Sequence, residues 1–196
     1  MNGASQGELL PGLVLPAGFT HQEDFITPDE EAALLKQIEQ LPLKESVYRQ
    51  WTAKRRTLSF GGQYDFSHQE LQPAAPIPEF LHPLRMQLAQ VAGIDATSFT
   101  HASIAEYRRG TQLGWHRDVP DFELIAGLSL HGVARMRFRP YPATTGWARA
   151  AFAIDLQPRS AYIIRDTARW RWQHAISPTK ELRYSITFRT LRRLPT

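Results

Sequence analysis

A histidine and an aspartate stand two apart in G-W-H-R-D (residues 114–118), and another histidine, His174, lies far along the chain in W-R-W-Q-H-A-I. His116, Asp118 and His174 together make a two-histidine, one-carboxylate set. Such a set holds a non-haem Fe(II) on one side and leaves three positions open, which a bidentate co-substrate and O2 can occupy. The pair alone is unspecific, because His21-Gln22-Glu23 and His68-Gln69-Glu70 repeat the His-x-acid spacing. A lone histidine such as His174 also has an ordinary reading as a hydrogen-bonded structural residue. On an extended strand, however, residues i and i+2 project to the same side, which lets His116 and Asp118 face one point.

The chemistry these residues could share depends on R-Y-S-I-T-F-R (residues 183–189). Arg183, Ser185, Thr187 and Arg189 fall on one face of a strand, and Tyr184, Ile186 and Phe188 on the other. If the apolar face packs on helices, two arginines enter the interior, where an unpaired charge is very costly. An anionic ligand or internal acids must then meet them. A guanidinium grips a carboxylate at two points, as the far end of 2-oxoglutarate requires. If the strand is turned over, the same residues become a solvated face over a Tyr/Ile/Phe core. The alternation allows both.

The elements that must position these residues are legible in outline. The 196 residues, 42% hydrophobic and 21% charged, suit one globular domain with a sizeable core. Residues 1–12 read as a loose arm. In T-P-D-E-E-A-A-L-L-K-Q-I-E-Q-L, Thr27 caps a helix, Pro28 takes its first position and Glu30 completes a capping box. Ala33, Leu34, Ile38 and Leu41 line one face. The proline-rich stretch before residue 83 reads as a loop into a second helix, roughly 78–91, stopped by Gly93, with Pro83 placed to bend it. From about Phe99, short strand-like runs follow one another: A-S-I-A-E-Y, G-L-S-L-H-G-V, A-R-M-R-F-R, F-A-I-D-L, S-A-Y-I-I-R and R-Y-S-I-T-F-R-T-L. Helices first and strands later predict an α+β fold, an antiparallel sandwich or barrel supported by helices.

In order and spacing, these motifs resemble the AlkB family of Fe(II)/2-oxoglutarate-dependent dioxygenases. The resemblance runs from about Phe25 to Arg193. It is carried by Tyr107 with His116 and Asp118, by Trp172 with His174, and by R-x-S-x-T-F-R from Arg183 to Arg189. It implies a double-stranded β-helix, or jelly roll, at 97–193, with N-terminal supporting helices and a nucleotide-recognition lid at 44–75. It further implies iron held by His116, Asp118 and His174. Tyr107 and Arg183 bind the remote carboxylate of 2-oxoglutarate and Arg189 its other end, with Ser185 beside them. Many members have asparagine where this chain has Ala105 and Ser185, so fewer direct contacts to 2-oxoglutarate are expected. The segment K-R-R-T-L-S-F-G-G-Q-Y-D-F resembles the family's lid, making Arg56, Phe60 and Tyr64, with Trp115, candidates to contact a flipped base; the alternative is a plain hairpin whose aromatics fill the core. The family's base-recognition acid has no clean counterpart, since Pro120 stands in its place and Asp121 is shifted by one.

The activity implied is oxidative demethylation of alkylated bases in DNA or RNA, with O2 and 2-oxoglutarate as co-substrates. Hydroxylation of modified wobble uridine in tRNA is the second reading, because R-R-T-L-S-F-G and R-Y-S-I-T-F-R-T-L-R look closer to that branch. A protein or small-molecule oxygenase, and a non-enzymatic jelly-roll binding module, are the rivals. Arg135, Arg137 and Arg139 alternate with Ala134, Met136 and Phe138, a basic stripe that can track phosphates or simply be solvated. A net charge of +4 and a pI near 9.6 mildly favour an anionic partner. With no cysteine, disulfides, thiolate metal sites and cysteine nucleophiles are excluded. No G-x-S-x-G or phosphate-binding loop occurs, and Gly61-Gly62 reads as a turn. Glu106 alternates away from Tyr107 and reads as structural, His131 as structural or surface, and His101 as free to face the pocket. No apolar run spans a membrane and no signal pattern opens the chain, so a cytoplasmic monomer is expected.

Overall fold

The structure, a computed structural model, describes residues 15–48, 51–65, 70–142 and 151–192. The arm expected over residues 1–12 and the His68 spacing lie outside the described residues. Helix α1 (Pro28–Ile38) starts at the expected cap. The Glu30 N–H donates to Thr27 Oγ1 at 3.2 Å, and Glu30 Oε2 accepts from the Thr27 N–H at 2.8 Å. The second helical stretch begins as a 3-10 turn, Glu79–Leu81, and continues as α2 (His82–Ala92), closed by Gly93 at φ 68°. Pro83 lies in the first turn of α2, where its missing N–H needs no acceptor. It therefore starts the helix and does not bend it.

Among the described residues, thirteen strands carry the rest. The large sheet has the order β1 (Phe19–Gln22), β11 (Ala161–Ile164), β8 (Phe122–Leu130), β13 (Arg183–Leu191), β6 (Phe99–Tyr107), β3 (Trp51–Phe60), β2 (Lys44–Tyr48). The small sheet is β10 (Phe152–Leu156), β9 (Ala134–Pro140), β12 (Trp172–Ile176), β7 (Leu113–His116). All described pairings in both sheets are antiparallel, and a short helix α3 (Asp166–Trp170) links β11 to β12. Strand β8 ends earlier than G-L-S-L-H-G-V suggests, because His131 at φ 69° and Gly132 turn the chain towards β9.

Each strand of the large sheet divides its side chains between two environments. Leu34, Ile38, Leu84 and Leu88 of the helices bury one face, meeting Phe60, Ile104, Leu128, Ile186 and Phe188. Between the two sheets lies a second core of Ala105, Tyr107, Ile125, Met136, Phe138, Ile154, Tyr162 and Ile176. Tyr184, Ile186 and Phe188 go to the helices, so Arg183, Ser185, Thr187 and Arg189 face the interior. The solvated orientation of β13 is thereby ruled out.

The stretch 44–75 does not behave as one unit. Strand β3 is zipped into the large sheet, with Arg56 opposite Glu106, Leu58 opposite Ile104 and Phe60 opposite Ala102. Only β4 (Gln63–Asp65) and β5 (Glu70–Gln72) form a separate two-stranded hairpin. Among the described residues, no helix is long and apolar enough to cross a membrane.

Candidate metal centre and its pocket

Strands β7 and β12 lie side by side with His116 directly opposite His174, which brings their rings to a centroid separation of 4.3 Å. Asp118 joins them from the loop just past β7, not from the strand itself as the i, i+2 spacing suggested. One ligand atom from each of the three residues lies within 4.8 Å of the others. His116 Nδ1 is 2.9 Å from the Gly114 carbonyl. A carbonyl only accepts, so Nδ1 carries the proton and Nε2 keeps its lone pair for a metal. The closest approach of His174 Nε2 to Asp118 is 3.7 Å, too long for a hydrogen bond and suited to a shared ion.

Electrostatics keep all three ready to ligate. Burial lowers the pKa of His116, and that of His174 to about 3, so both imidazoles are neutral at neutral pH. Burial alone would raise Asp118, but Arg189, then His174 and His116, outweigh it and hold the carboxyl far below its usual range. Arg189 Nε donates to Asp118 Oδ1 at 2.7 Å, which leaves Oδ2 on the histidine side. Its Nη1 donates to Ser103 Oγ at 3.0 Å and approaches His101 Nδ1 at 3.4 Å. His101 does face the pocket, and burial holds its pKa at about 3. A buried guanidinium fixes the loop from behind. Arg169 of α3, 2% exposed, donates to the carbonyls of Asp118, Val119 and Phe122 at 2.7–3.2 Å.

Deeper in, the pocket turns cationic. Arg183, 1% exposed, donates from Nε to Ser129 Oγ at 3.1 Å and stacks 4.8 Å from the Tyr107 ring centroid. Arg55 reaches the same phenol from β3, Nη1 to Oη at 3.3 Å. Its buried Nε has no partner. Burial pushes the Tyr107 phenol up, but Arg55 and Arg183 outweigh it and draw the pKa below its ordinary value. Among the described residues, no acid pairs with Arg55 or Arg183. An orphaned guanidinium nitrogen and two uncompensated cations fit an anion with a carboxylate at its remote end. Ser185 lies in register between Ala105 and Ser129 on the same inner surface. Tyr162 closes the floor across Gly127, where a Cβ would lie 2.3 Å from its ring, so only glycine admits the phenol there.

Not every sequence candidate is brought to this pocket. Arg56 points to the helix side, where it donates to the Leu43 carbonyl and pairs with Glu106 at 3.1 Å; Glu106 also binds Arg108. Phe60, 7% exposed, fills the helix-backed core. Trp115 lies on the outer face of the small sheet beside Arg137 and Arg139. Tyr64 stands on the hairpin, its phenol raised by partial burial and by nearby Asp121. The cation missed from the sequence is Arg55. Its signal was the alternation itself: Leu58 and Phe60 in the core force Arg56 to the same side and Arg55 to the other.

A jelly roll with a His/Asp/His set at one end and arginines on its inner wall defines the Fe(II)/2-oxoglutarate oxygenases as a class. The model of the 2OG-Fe(II) oxygenase superfamily matches residues 18–189, and the chain belongs to that superfamily. Its members use Fe(II), 2-oxoglutarate and O2, so the chain is a dioxygenase. An uncharacterized protein, L905, of Acanthamoeba polyphaga mimivirus is 31% identical over 89% of this chain and 85% of its own length. An alkylated DNA repair protein ALKBH8 homolog of Arabidopsis thaliana is 27% identical over 85% of this chain, which spans about half (51%) of that relative. The solved structure of OsALKBH1 superposes with a TM-score of 0.68 at 17% identity, covering 90% of this chain and 98% of the other. A Pseudomonas putida prolyl-4-hydroxylase gives 0.62 at 14% identity, covering 90% and 94%. These two structures share the fold.

Proposed function

We propose that the chain oxidatively demethylates alkylated bases in nucleic acid. Geometry carries the reaction: a His/Asp/His set lies beside Arg55 and Arg183, buried cations without a counter-anion among the described residues. The substrate class is supported by the similarity to the alkylated DNA repair homologue across 85% of the chain. Bound Fe(II), with 2-oxoglutarate and O2, supplies hydroxylation of an alkyl carbon. A carbon hydroxylated while attached to a base nitrogen is a hemiaminal, which releases an aldehyde and restores the base.

The chain's own residues prepare this in a definite division of work. His116 and His174 offer Nε2 and Asp118 offers Oδ2 to the metal. Arg189 holds the other Asp118 oxygen and so fixes the carboxylate's orientation. Arg183, Tyr107 and Arg55 take the remote carboxylate of 2-oxoglutarate, with Ser185 beside them. Arg55 supplies charge at a wall where Ala105 and Ser185 offer fewer hydrogen-bonding groups than the family's usual asparagines. The β4–β5 hairpin with Tyr64 is the part of the 44–75 stretch left to cover a base.

Hydroxylation of modified wobble uridine in tRNA is the second reading, favoured by the resemblance of R-R-T-L-S-F-G and R-Y-S-I-T-F-R-T-L-R to that branch. Anaerobic reconstitution with Fe(II), followed by succinate release on methylated single-stranded DNA and on tRNA, tests both. Turnover on the methylated DNA supports demethylation, and turnover on tRNA alone reverses the order. No 2-oxoglutarate turnover with either substrate refutes both.

A further inference from the structure

The pocket absorbs Arg55, Arg183 and Arg189, but another group of guanidiniums lies outside it. On β9 and just beyond, Arg137, Arg139 and Tyr141 follow one another at two-residue spacing. On β7 and just beyond, Trp115 and Arg117 do the same. Strand β12 runs between β9 and β7, with His116 opposite His174 facing the metal centre, so Trp115, Arg137 and Arg139 share the outer face of the small sheet, and Arg117 and Tyr141 continue just past its strand ends. Trp115 reaches across β12: its ring centroid lies 4.4 Å from the Arg139 guanidinium and 5.0 Å from that of Arg137. Arg117 stacks 4.1 Å from the ring centroid of Tyr141, which is itself 40% exposed. Gln173 of β12 accepts from Arg139 Nε at 2.8 Å.

A solvated basic strand is an ordinary surface, and Arg135 illustrates it. One pair further along β9, Arg135 is matched by Asp155 at 3.1 Å. Neither Arg117 nor Arg137 has such an acid among the described residues. Instead Arg117 and Arg137 are held against aromatic rings, which orders their planes without neutralising them. Tyr141 to Arg137 spans roughly 13 Å along the strand. A surface of fixed guanidiniums interleaved with rings complements a polyanion that carries flat bases. Arg117 also sits between His116 and Asp118 in the chain, so the patch ends one residue from two of the candidate metal ligands.

We propose that this outer face is a docking track for single-stranded nucleic acid, with phosphates on Arg117, Arg137 and Arg139 and an unstacked base against Tyr141. The track feeds a nucleotide towards the metal centre beside Arg117. This rests on the nucleic-acid reading above and deepens it, since a substrate pocket alone requires no external track.

The test uses the full chain loaded with Fe(II) and 2-oxoglutarate under nitrogen, and a fluorescein-labelled single-stranded oligothymidylate as probe. Anisotropy yields Kd across a salt series. In the Arg137→Ala/Arg139→Ala double variant, affinity falls about tenfold at moderate salt, and the slope of log K against log salt flattens by about 1.4, or about 0.7 per lost phosphate contact. The double lysine variant restores the slope, which separates lost charge from lost fold. Arg135→Ala, already neutralised by Asp155, shifts Kd less than about twofold. A double alanine variant with wild-type affinity and slope overturns the track while leaving nucleic-acid binding in place. Failure of lysine to restore the slope overturns the phosphate assignment. A wild-type chain without salt-dependent binding overturns the track and the nucleic-acid reading together.

Discussion

Arg55 and Arg56 are neighbours on one strand and live in opposite circumstances. Arg56 leaves the large sheet on the helix side, where Glu106 and the Leu43 carbonyl satisfy it. Arg55 leaves on the inner side, where a phenol is its hydrogen-bond partner and its Nε has none. The same contrast holds for the two faces of the whole sheet. On the helix side the buried Glu106 meets Arg56 and Arg108 within the chain. On the inner side, among the described residues, the cations outnumber the acids, and Asp118 is already engaged by Arg189. Where a fold supplies its own counter-charge, an arginine holds structure together. Where it withholds one, the arginine is placed for a ligand.

The largest break in this contrast comes from removing a ligand of the metal. His116→Ala is expected to lower succinate formation at least about hundredfold and to abolish the thermal stabilisation that Fe(II) gives the native chain. Melts with and without the metal under nitrogen check it, and an unchanged shift in the variant contradicts the centre. Next, Arg183→Met should raise the KM for 2-oxoglutarate by about 10- to 100-fold, the size of a lost charge-assisted bond. Arg56→Met should leave that KM alone and cost about 1–2 kcal/mol of stability, because its partner Glu106 keeps Arg108. A KM change in the second variant and none in the first would invert the assignment of the two faces.

Arg169→Ala sharpens the comparison differently, since this buried arginine is satisfied by carbonyls yet serves the site through them. Losing it should weaken Fe(II) binding about tenfold by loosening the loop that carries Asp118. A direct metal titration reads this apart from any loss of stability. The smallest effect is on acid stability of the metal-free chain. His101 and His174 titrate at about 3 when folded and near 6.5 when unfolded. Between those values the unfolded chain binds protons that the folded chain refuses, so stability is full above about pH 6.5 and falls as the pH drops. Thermal melts should show Tm decreasing below that point, with a shallower decline in His101→Gln; a Tm that does not fall on acidification contradicts it.

Much of the contrast was legible in advance, but not its sign. Thr27 and Glu30 announce a helix start because both partners of the capping box lie within one turn. The alternation in R-Y-S-I-T-F-R separates two faces, yet which face is internal depends on helices some 150 residues earlier in the chain. Long-range packing, not local pattern, decides it. The same limit explains Arg56 and Phe60. Their shared parity was visible, while the side it points to depends on pairing with β6, a contact that spans about fifty residues. Asp118 escaped the strand rule because β7 ends at His116 and carbonyl bonds from α3, not a ladder, hold the loop.

The inner wall sums to three guanidiniums, Arg55, Arg183 and Arg189, against the single carboxylate of Asp118, an excess of two positive charges among the described residues. 2-Oxoglutarate is a dianion, and so is the succinate left after it loses CO2. An excess of charge is blind to that difference, so on the proposed reading a wall that recruits the co-substrate would also retain the product. Discrimination would fall to the keto group, which succinate lacks. Competitive inhibition by succinate against 2-oxoglutarate is therefore the expected outcome on the proposed reading.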